Sequence, residues 1–135
     1  MKKARILSLV IAIILCASIF SSVVYAISVY NNNTDTTSTG FFISESGLAT
    51  VYTSYSGWEG IMTDATITIT IKKRSFLLFW NEVTTKTLYS TQNDYSNTFE
   101  YQLTEKGTYK CEVEYIVSGT GGEDDVIPFE DTVTY

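Results

Sequence analysis

Few side chains in this chain are suited to catalysis, because none of the 135 residues is histidine. Ser-His-Asp and Cys-His arrangements are therefore excluded, as are most zinc sites. The two cysteines, Cys16 and Cys111, lack the imidazole that would activate a thiol as a nucleophile. The 15 acidic residues include enough carboxylates for a glycosidase pair, but a small domain without long loops has little room for a cleft. We expect a non-catalytic protein without a cofactor.

A glycine-rich acidic loop at residues 119–125 is the candidate metal site. Glu123, Asp124 and Asp125 offer the carboxylate oxygens that Ca²⁺ prefers. Their spacing does not match the alternating ligands of an EF-hand loop, and three adjacent acids are ordinary in a solvated turn. The pattern therefore favours a charged surface loop, with Ca²⁺ binding as the alternative.

Aromatic residues in a turn-rich connection suggest a carbohydrate-binding surface. Trp58 lies among serine, glycine and glutamate residues, where an exposed indole can stack on a sugar ring, and Tyr55 precedes it closely. The alternative is that Trp58 folds back over one end of the core, because aromatic side chains bury large areas.

The apolar run at residues 76–80 predicts a protein-contact surface. If this run forms a strand, the alternation of side chains places its first, third and fifth residues on one face and Leu77 and Phe79 on the other. If the first set enters the core, Leu77 and Phe79 stay outside, and Ile116 joins them from a neighbouring strand. An apolar patch rimmed by charge marks an interaction site. The opposite parity, or a segment covering the patch, is the alternative.

The elements that position these residues are β-strands. Apolar and polar residues alternate along residues 65–72, which is typical of a strand with one buried face. The basic run at residues 72–74 is expected to be a turn that leads into a second strand. A further alternation places five residues on one face: Tyr109, Cys111, Val113, Tyr115 and Val117. About seven short strands and no helical period after residue 26 predict an all-β, antiparallel β-sandwich.

The first 40 residues are expected to lie outside this domain. Residues 1–26 match a secretory signal peptide helix, with a basic start, an apolar middle and a small-residue exit at Ala26. A retained signal anchor is the alternative, since the apolar stretch approaches the length of a membrane span. Residues 27–40 are rich in Asn and Thr and predict a flexible leader. The β domain is then residues 41–135.

The charge and cysteine content of the exported chain limit the partners and covalent bonds that it can have. Three of the nine basic residues leave with the signal, so the remaining formal charge is −9 (6 − 15). An acidic surface argues against nucleic acid, which binds cationic surfaces. Cys111 remains as a single cysteine, so no intramolecular disulfide can form, and its alternating neighbours predict that it is buried.

Residues 103–111 (LTEKGTYKC) resemble the corner between strands E and F of immunoglobulin-like domains. The resemblance implies an immunoglobulin-like sandwich in which Tyr109 makes the corner hydrogen bond. It further implies that residues 65–71 are strand B and that Trp80 is the core tryptophan of strand C. The first cysteine of the family is absent. The whole chain also resembles small secreted proteins of Gram-positive bacteria, which implies export and brings no activity with it.

These observations together predict a secreted or envelope-associated binding module that contacts a protein partner or a second copy of itself. No membrane span is expected after signal cleavage. A carbohydrate-binding module and a small secreted toxin or bacteriocin are the alternative functions.

Overall fold

The computed structural model describes residues 31–76 and 78–135. The predicted signal peptide, the first four residues of the predicted leader and Leu77 lie outside the described residues. Every regular element in the described part is a β-strand, which confirms the all-β class. In the same residues no helix is long and apolar enough to cross a membrane.

Seven strands make up two antiparallel sheets. They are β1 (Thr34–Ile43), β2 (Leu48–Gly57), β3 (Met62–Ser75), β4 (Phe79–Ser90), β5 (Asp94–Gln102), β6 (Thr108–Gly119) and β7 (Asp125–Thr134). One sheet has the order β1-β2-β5 and the other β4-β3-β6-β7. Immunoglobulin-like sandwiches likewise place strands one, two and five in one sheet and three, six and seven in the other. The predicted antiparallel sandwich is confirmed.

The core lies between the sheets and follows the predicted alternation. The inward side chains of β3 are Ala65, Ile67, Ile69 and Ile71, and all are at most 1% exposed. On β6 the five predicted inward residues are all buried, and Ala49, Val51 and Tyr55 of β2 face them from the other sheet. Apolar burial of this kind is the dominant favourable term in folding. Since the described residues contain no disulfide, this core holds the sheets together.

Two buried tyrosines on β6 fix its position through their hydroxyl groups. Tyr115 donates to the carbonyl of Ser38 at 3.0 Å and is hydrogen-bonded to Thr39 Oγ1 at 2.6 Å, which joins the two sheets. Tyr109 donates to the carbonyl of Glu105 at 2.6 Å, the corner hydrogen bond that the resemblance implied. A buried tyrosine needs such a partner for its polar end.

Cys111 is buried, as predicted. Burial, reinforced by the negative charges of Asp131 and Glu112, raises the pKa of its thiol to about 12. The thiol is therefore protonated near neutral pH and is a poor nucleophile, because the thiolate is the reactive form.

The N-terminal boundary differs from the prediction. β1 begins at Thr34, so the interpretation of residues 27–40 as a flexible leader is wrong for residues 34–40. The Asp125 carboxylate accepts the backbone N–H groups of Asn32 at 2.7 Å and of Asn33 and Thr34 at 2.8 Å. Asn33 in turn donates from Nδ2 to the carbonyls of Val117 and Glu123. These bonds order a polar segment that has few apolar residues to bury.

The strand B assignment implied by the resemblance and the turn predicted at residues 72–74 are also wrong. Residues 65–71 belong to the third strand, which pairs with β4 and β6, and not to the second. The basic residues 72–74 continue β3 and do not form a turn. Residues 41–43 and 48–52 belong to two strands, β1 and β2, which are joined by a turn.

Candidate binding surface

The β3–β4 hairpin extends beyond the rest of its sheet. β3 pairs with β4 as far as Ser75 opposite Phe79, whereas its pairing with β6 stops at Lys73 opposite Tyr109. Phe76 and Leu78 lie in the turn, where the Leu78 N–H donates to the Phe76 carbonyl at 2.7 Å. The end of the hairpin therefore projects where neither sheet can cover it.

Three large apolar side chains occupy this projecting end. Phe76 is 82% exposed, Leu78 79% and Phe79 69%, and we call these three residues the apolar tip. Of the two parities left open for the run, the one that places its first, third and fifth residues in the core is wrong, because Phe76 and Leu78 lie in the exposed turn. Phe79 is exposed as predicted, while Leu77 lies outside the described residues.

The backbone of the turn is strained at an aromatic residue. Phe76 has a φ of +23°, outside the regions that bulky side chains normally adopt. Glycine would occupy such a position with less strain. Strained backbone of this kind is found preferentially at functional sites, where surrounding structure maintains it.

Polar and charged residues follow immediately behind the apolar tip. Arg74 of β3 lies opposite Trp80 of β4 in the strand register, and Lys73 lies opposite Asn81 in the next row. The Lys110 ammonium lies 5.1 Å from the centre of the Trp80 ring. Lys110 alternates with the buried Tyr109 and Cys111, so the indole beneath it is on the outer face of the sheet. The assignment of Trp80 as a core tryptophan is therefore wrong.

The cations behind the tip are arranged in ion pairs. Lys110 lies 2.6 Å from Glu112, which also pairs with Lys72, and Lys73 pairs with Glu105. Hydrogen bonds from Lys110 and then Lys72 lower the pKa of Glu112, and a hydrogen bond from Lys73 lowers that of Glu105. Glu112 is thus unsuited to the general-acid role in a carboxylate pair, which needs a raised pKa.

Ile116 does not join Phe79 in one patch. Ile116 is opposite Thr66 of β3, whereas Phe79 is opposite Ser75. These positions on β3 are about 30 Å apart at ~3.3 Å per residue. The predicted contact patch is therefore wrong as a single surface, and only its Phe79 end lies at the hairpin tip.

The two candidate carbohydrate-binding residues differ in exposure. Trp58 is 44% exposed in the connection between β2 and β3. Tyr55 is only 3% exposed, stacks on Tyr95 and donates its hydroxyl to the Gln92 carbonyl at 2.8 Å. Tyr55 therefore cannot stack on a sugar, and that part of the prediction is wrong. Trp58 remains exposed at the opposite end of β3 from the apolar tip.

The structure does not bring the three acidic side chains of the loop together. Glu123 and Asp124 are exposed, while the Asp125 carboxylate is directed at the backbone N–H groups of residues 32–34. No group of three acidic or cysteine side chains in residues 31–76 and 78–135 is suited to hold a metal ion. The Asp125 carboxylate is used by the start of β1, so in the structure it does not act together with Glu123 and Asp124.

Phe76 and Leu78 are the candidate residues that sequence reasoning assigned to the core. The chain must turn somewhere in residues 72–80, yet this stretch contains no glycine, proline, asparagine or aspartate, the residues that usually mark a turn. The absence of these residues was the available signal that the turn is unusual. The turn could lie at the basic run or at the apolar run, and hydropathy favoured the wrong choice.

No family model matches this chain, and no curated protein does.

Proposed function

We propose that this protein is a non-catalytic binding module that attaches to its target through the apolar tip of the β3–β4 hairpin. The observation that carries the proposal is the exposure of Phe76, Leu78 and Phe79, each more than two-thirds accessible at one projecting end. Large apolar groups exposed together are typical of interaction sites rather than of inert surface.

Burial of the apolar tip against a target would be strongly favourable. Burying one large apolar side chain is worth about 1.5–3 kcal/mol, so three of them supply roughly 5 kcal/mol or more before the cost of association. The tip contributes nothing to the core, and the φ of Phe76 costs stability. A turn that served folding alone would be better built from glycine or asparagine.

The site of action that we propose is the cell envelope or the medium. The signal-peptide pattern in residues 1–26 supports export of the chain. The high formal negative charge of the remaining chain favours solubility, so the rest of the module would stay in water outside the target.

The experiment that tests the proposal measures binding of the mature exported protein to envelope preparations of the source organism. Phe76→Ser/Phe79→Ser is expected to bind at least about 10-fold more weakly, since two large apolar contacts are lost. The matched control is Phe42→Ser, because Phe42 is 56% exposed on β1 and lies outside the tip. Binding of the double variant at the wild-type level would reject the proposal.

Carbohydrate binding at Trp58 is the second candidate, because the indole is 44% exposed. It predicts a change in tryptophan fluorescence on glycan addition that disappears in Trp58→Ala. An unchanged spectrum across a broad glycan panel would remove this candidate. The toxin alternative stays a prediction.

A further inference from the structure

The two sheets of the domain present four edge strands, each with one row of unpaired backbone N–H and C=O groups. β1 and β5 are the edges of one sheet, and β4 and β7 are the edges of the other. Close approach between the sheets is found chiefly at β1, which contacts β7 and β6. β4 and β5 therefore border the more open side of the sandwich.

Three of these edge strands carry features that hinder pairing with another chain. β7 contains Pro128, which has no N–H group to donate. β4 has a register shift at Val83 and places Lys86 opposite the buried Ile69, so that a charge points inward at its edge. β1 is shifted in register near its start and is flanked by β7. Bulges, prolines, inward charges and flanking elements are the usual protection of a sheet edge.

The edge strand β5 is built differently. Its nine residues pair with β2 in an unbroken register and include no proline, glycine or basic residue. Its two acids, Asp94 and Glu100, alternate with the inner side chains and lie on the outer face. Within the described ranges, β5 is paired with β2 and with no other strand. Its free edge is therefore open to a further strand.

The inner side chains of β5 are only partly covered in one copy of the chain. Tyr95, Phe99 and Tyr101 are half-buried and pack against the core cluster. They lie opposite buried residues of β2, the central strand of this sheet. A strand added at the free edge would cover the part of each ring that is still exposed.

Pairing of two copies through β5 brings these inner side chains together. In an antiparallel register centred on Thr98, all nine residues of one strand find an opposite residue on the other. Tyr95 is then opposite Tyr101 of the second copy, and Asn97 is opposite Phe99. Cross-strand aromatic pairs stabilise a sheet, and a buried face specifies its register.

The charges of β5 favour the same register. Asp94 is then opposite Gln102 of the second copy, and Glu100 is opposite Ser96, so no two acids are directly opposite. A shift of two residues in either direction loses pairs at the ends, and in one direction it places Asp94 opposite Glu100. The register centred on Thr98 therefore combines the longest pairing with the least repulsion.

We infer that the free edge of β5 binds the β5 edge of a second copy of this chain, which gives a dimer with two-fold symmetry. The two three-stranded sheets become one continuous sheet, held by main-chain hydrogen bonds and by the aromatic pairs. The paired strip is about 30 Å long at ~3.3 Å per residue. Such a narrow contact is small for an obligate dimer, so the dimer dissociates on dilution.

The symmetry of this dimer determines where its two apolar tips point. The two-fold axis reverses the strand direction, so the tips project from opposite ends. A dimer therefore joins two targets and does not hold one target twice. This consequence rests on the proposed function, whereas the dimer itself does not.

The inference is tested by sedimentation equilibrium of the mature exported protein from about 5 to 500 µM, where the average mass is expected to rise toward that of a dimer. Thr98→Glu places two carboxylates about 5 Å apart at the two-fold axis, so we expect the dimer dissociation constant to rise at least about tenfold. The matched control is Thr132→Glu, because Thr132 is an exposed threonine on the edge strand β7 of the other sheet. This control is expected to dimerise like wild type.

A charge exchange tests the register itself. Thr98→Lys mixed in equal amounts with Thr98→Glu places opposite charges at the two-fold axis, so the mixture is expected to dimerise more strongly than Thr98→Glu alone. Recovery of the dimer also shows that both variants are folded. A mixture no stronger than Thr98→Glu alone would overturn pairing about Thr98.

The remaining outcomes separate this inference from its rivals and from the proposed function. A wild-type monomer at every concentration would overturn the second copy and leave the edge to an extended segment of another protein. A dimer unaffected by Thr98→Glu but lost in Phe76→Ser/Phe79→Ser would assign self-association to the apolar tip. Since Thr98 lies outside the tip, either result leaves the binding of the tip to envelope preparations to be decided by its own experiment.

Discussion

At the scale of single residues, Asp125 is a buried carboxylate whose charge is stabilised by backbone N–H donors. Burial by itself would raise the pKa of this carboxyl, but the N–H donors of Asn32, Asn33 and Thr34 outweigh burial and lower the pKa below its usual value. A carboxylate that accepts several backbone N–H groups is stabilised in its charged form. Asp125 is therefore the residue that holds the start of β1 on the second sheet.

Replacing this carboxylate should destabilise the fold. Asp125→Asn keeps the shape of the side chain but presents an NH₂ group to N–H donors, so we expect a loss of about 2–3 kcal/mol in the free energy of unfolding. Urea denaturation measures the loss. Asp124→Asn is the matched control, because Asp124 is exposed next to it. Equal stability of the two variants would contradict this account of Asp125.

The same group predicts a dependence of stability on pH. Because the folded pKa of Asp125 lies below its unfolded value, its contribution is complete above the unfolded pKa of about 3.9 and is lost as pH falls through the folded pKa. Thermal melts should therefore show wild type and Asp125→Asn converging below about pH 4. A difference that stays constant down to pH 2 would show that the charge of Asp125 is not what stabilises the fold.

At the scale of elements, the β3–β4 hairpin separates folding from binding. Its paired residues complete the sheet, and Ile67, Ile69 and Ile71 anchor it in the core. Its exposed residues Phe76 and Leu78 make no contribution to that core. The two parts can therefore be changed independently.

A shortened turn tests this separation. Replacing residues 76–78 by Asn-Gly joins Ser75 to Phe79 through a two-residue turn whose twist suits antiparallel strands. We expect a melting temperature equal to or above that of wild type, because the positive φ of Phe76 is removed. Binding to envelope preparations should fall with the loss of the apolar surface. A sharply lower melting temperature would mean that the tip is needed for folding.

At the scale of the whole molecule, two sheets without a disulfide carry a large excess of negative charge. The described part of the chain contains all 15 acidic residues and six of the nine basic ones. Self-repulsion of such an excess opposes the compact state. The ion pairs of Lys72 and Lys110 with Glu112 offset a small part of it, since partly exposed pairs are worth little.

This balance predicts the effect of salt. Raising NaCl from about 0.01 M to 0.5 M shortens the screening length from roughly 30 Å to under 8 Å, so repulsion across the molecule weakens. We expect the melting temperature to rise by a few degrees near neutral pH, measured by circular dichroism. A fall would show that the surface ion pairs outweigh the repulsion.

The buried face of each long strand was predictable from local pattern alone. Residues 65–71 and 109–115 alternate strictly, and because successive side chains of a strand point to opposite faces, the pattern identified Ile67, Ile69 and Cys111 as core residues. The corner hydrogen bond of Tyr109 was likewise predictable from a short motif, because it closes over four residues.

Contacts between distant parts of the chain were not predictable in this way. Whether residues 72–74 or 76–78 form the turn depends on the register between β3 and β4, which the ends of the sheet decide and hydropathy does not. The bonds from Asp125 to residues 32–34 join positions more than 90 residues apart, and no local pattern encodes them. The exposure of the apolar tip follows from such non-local pairing, so only the tertiary structure shows the surface on which the proposed function rests.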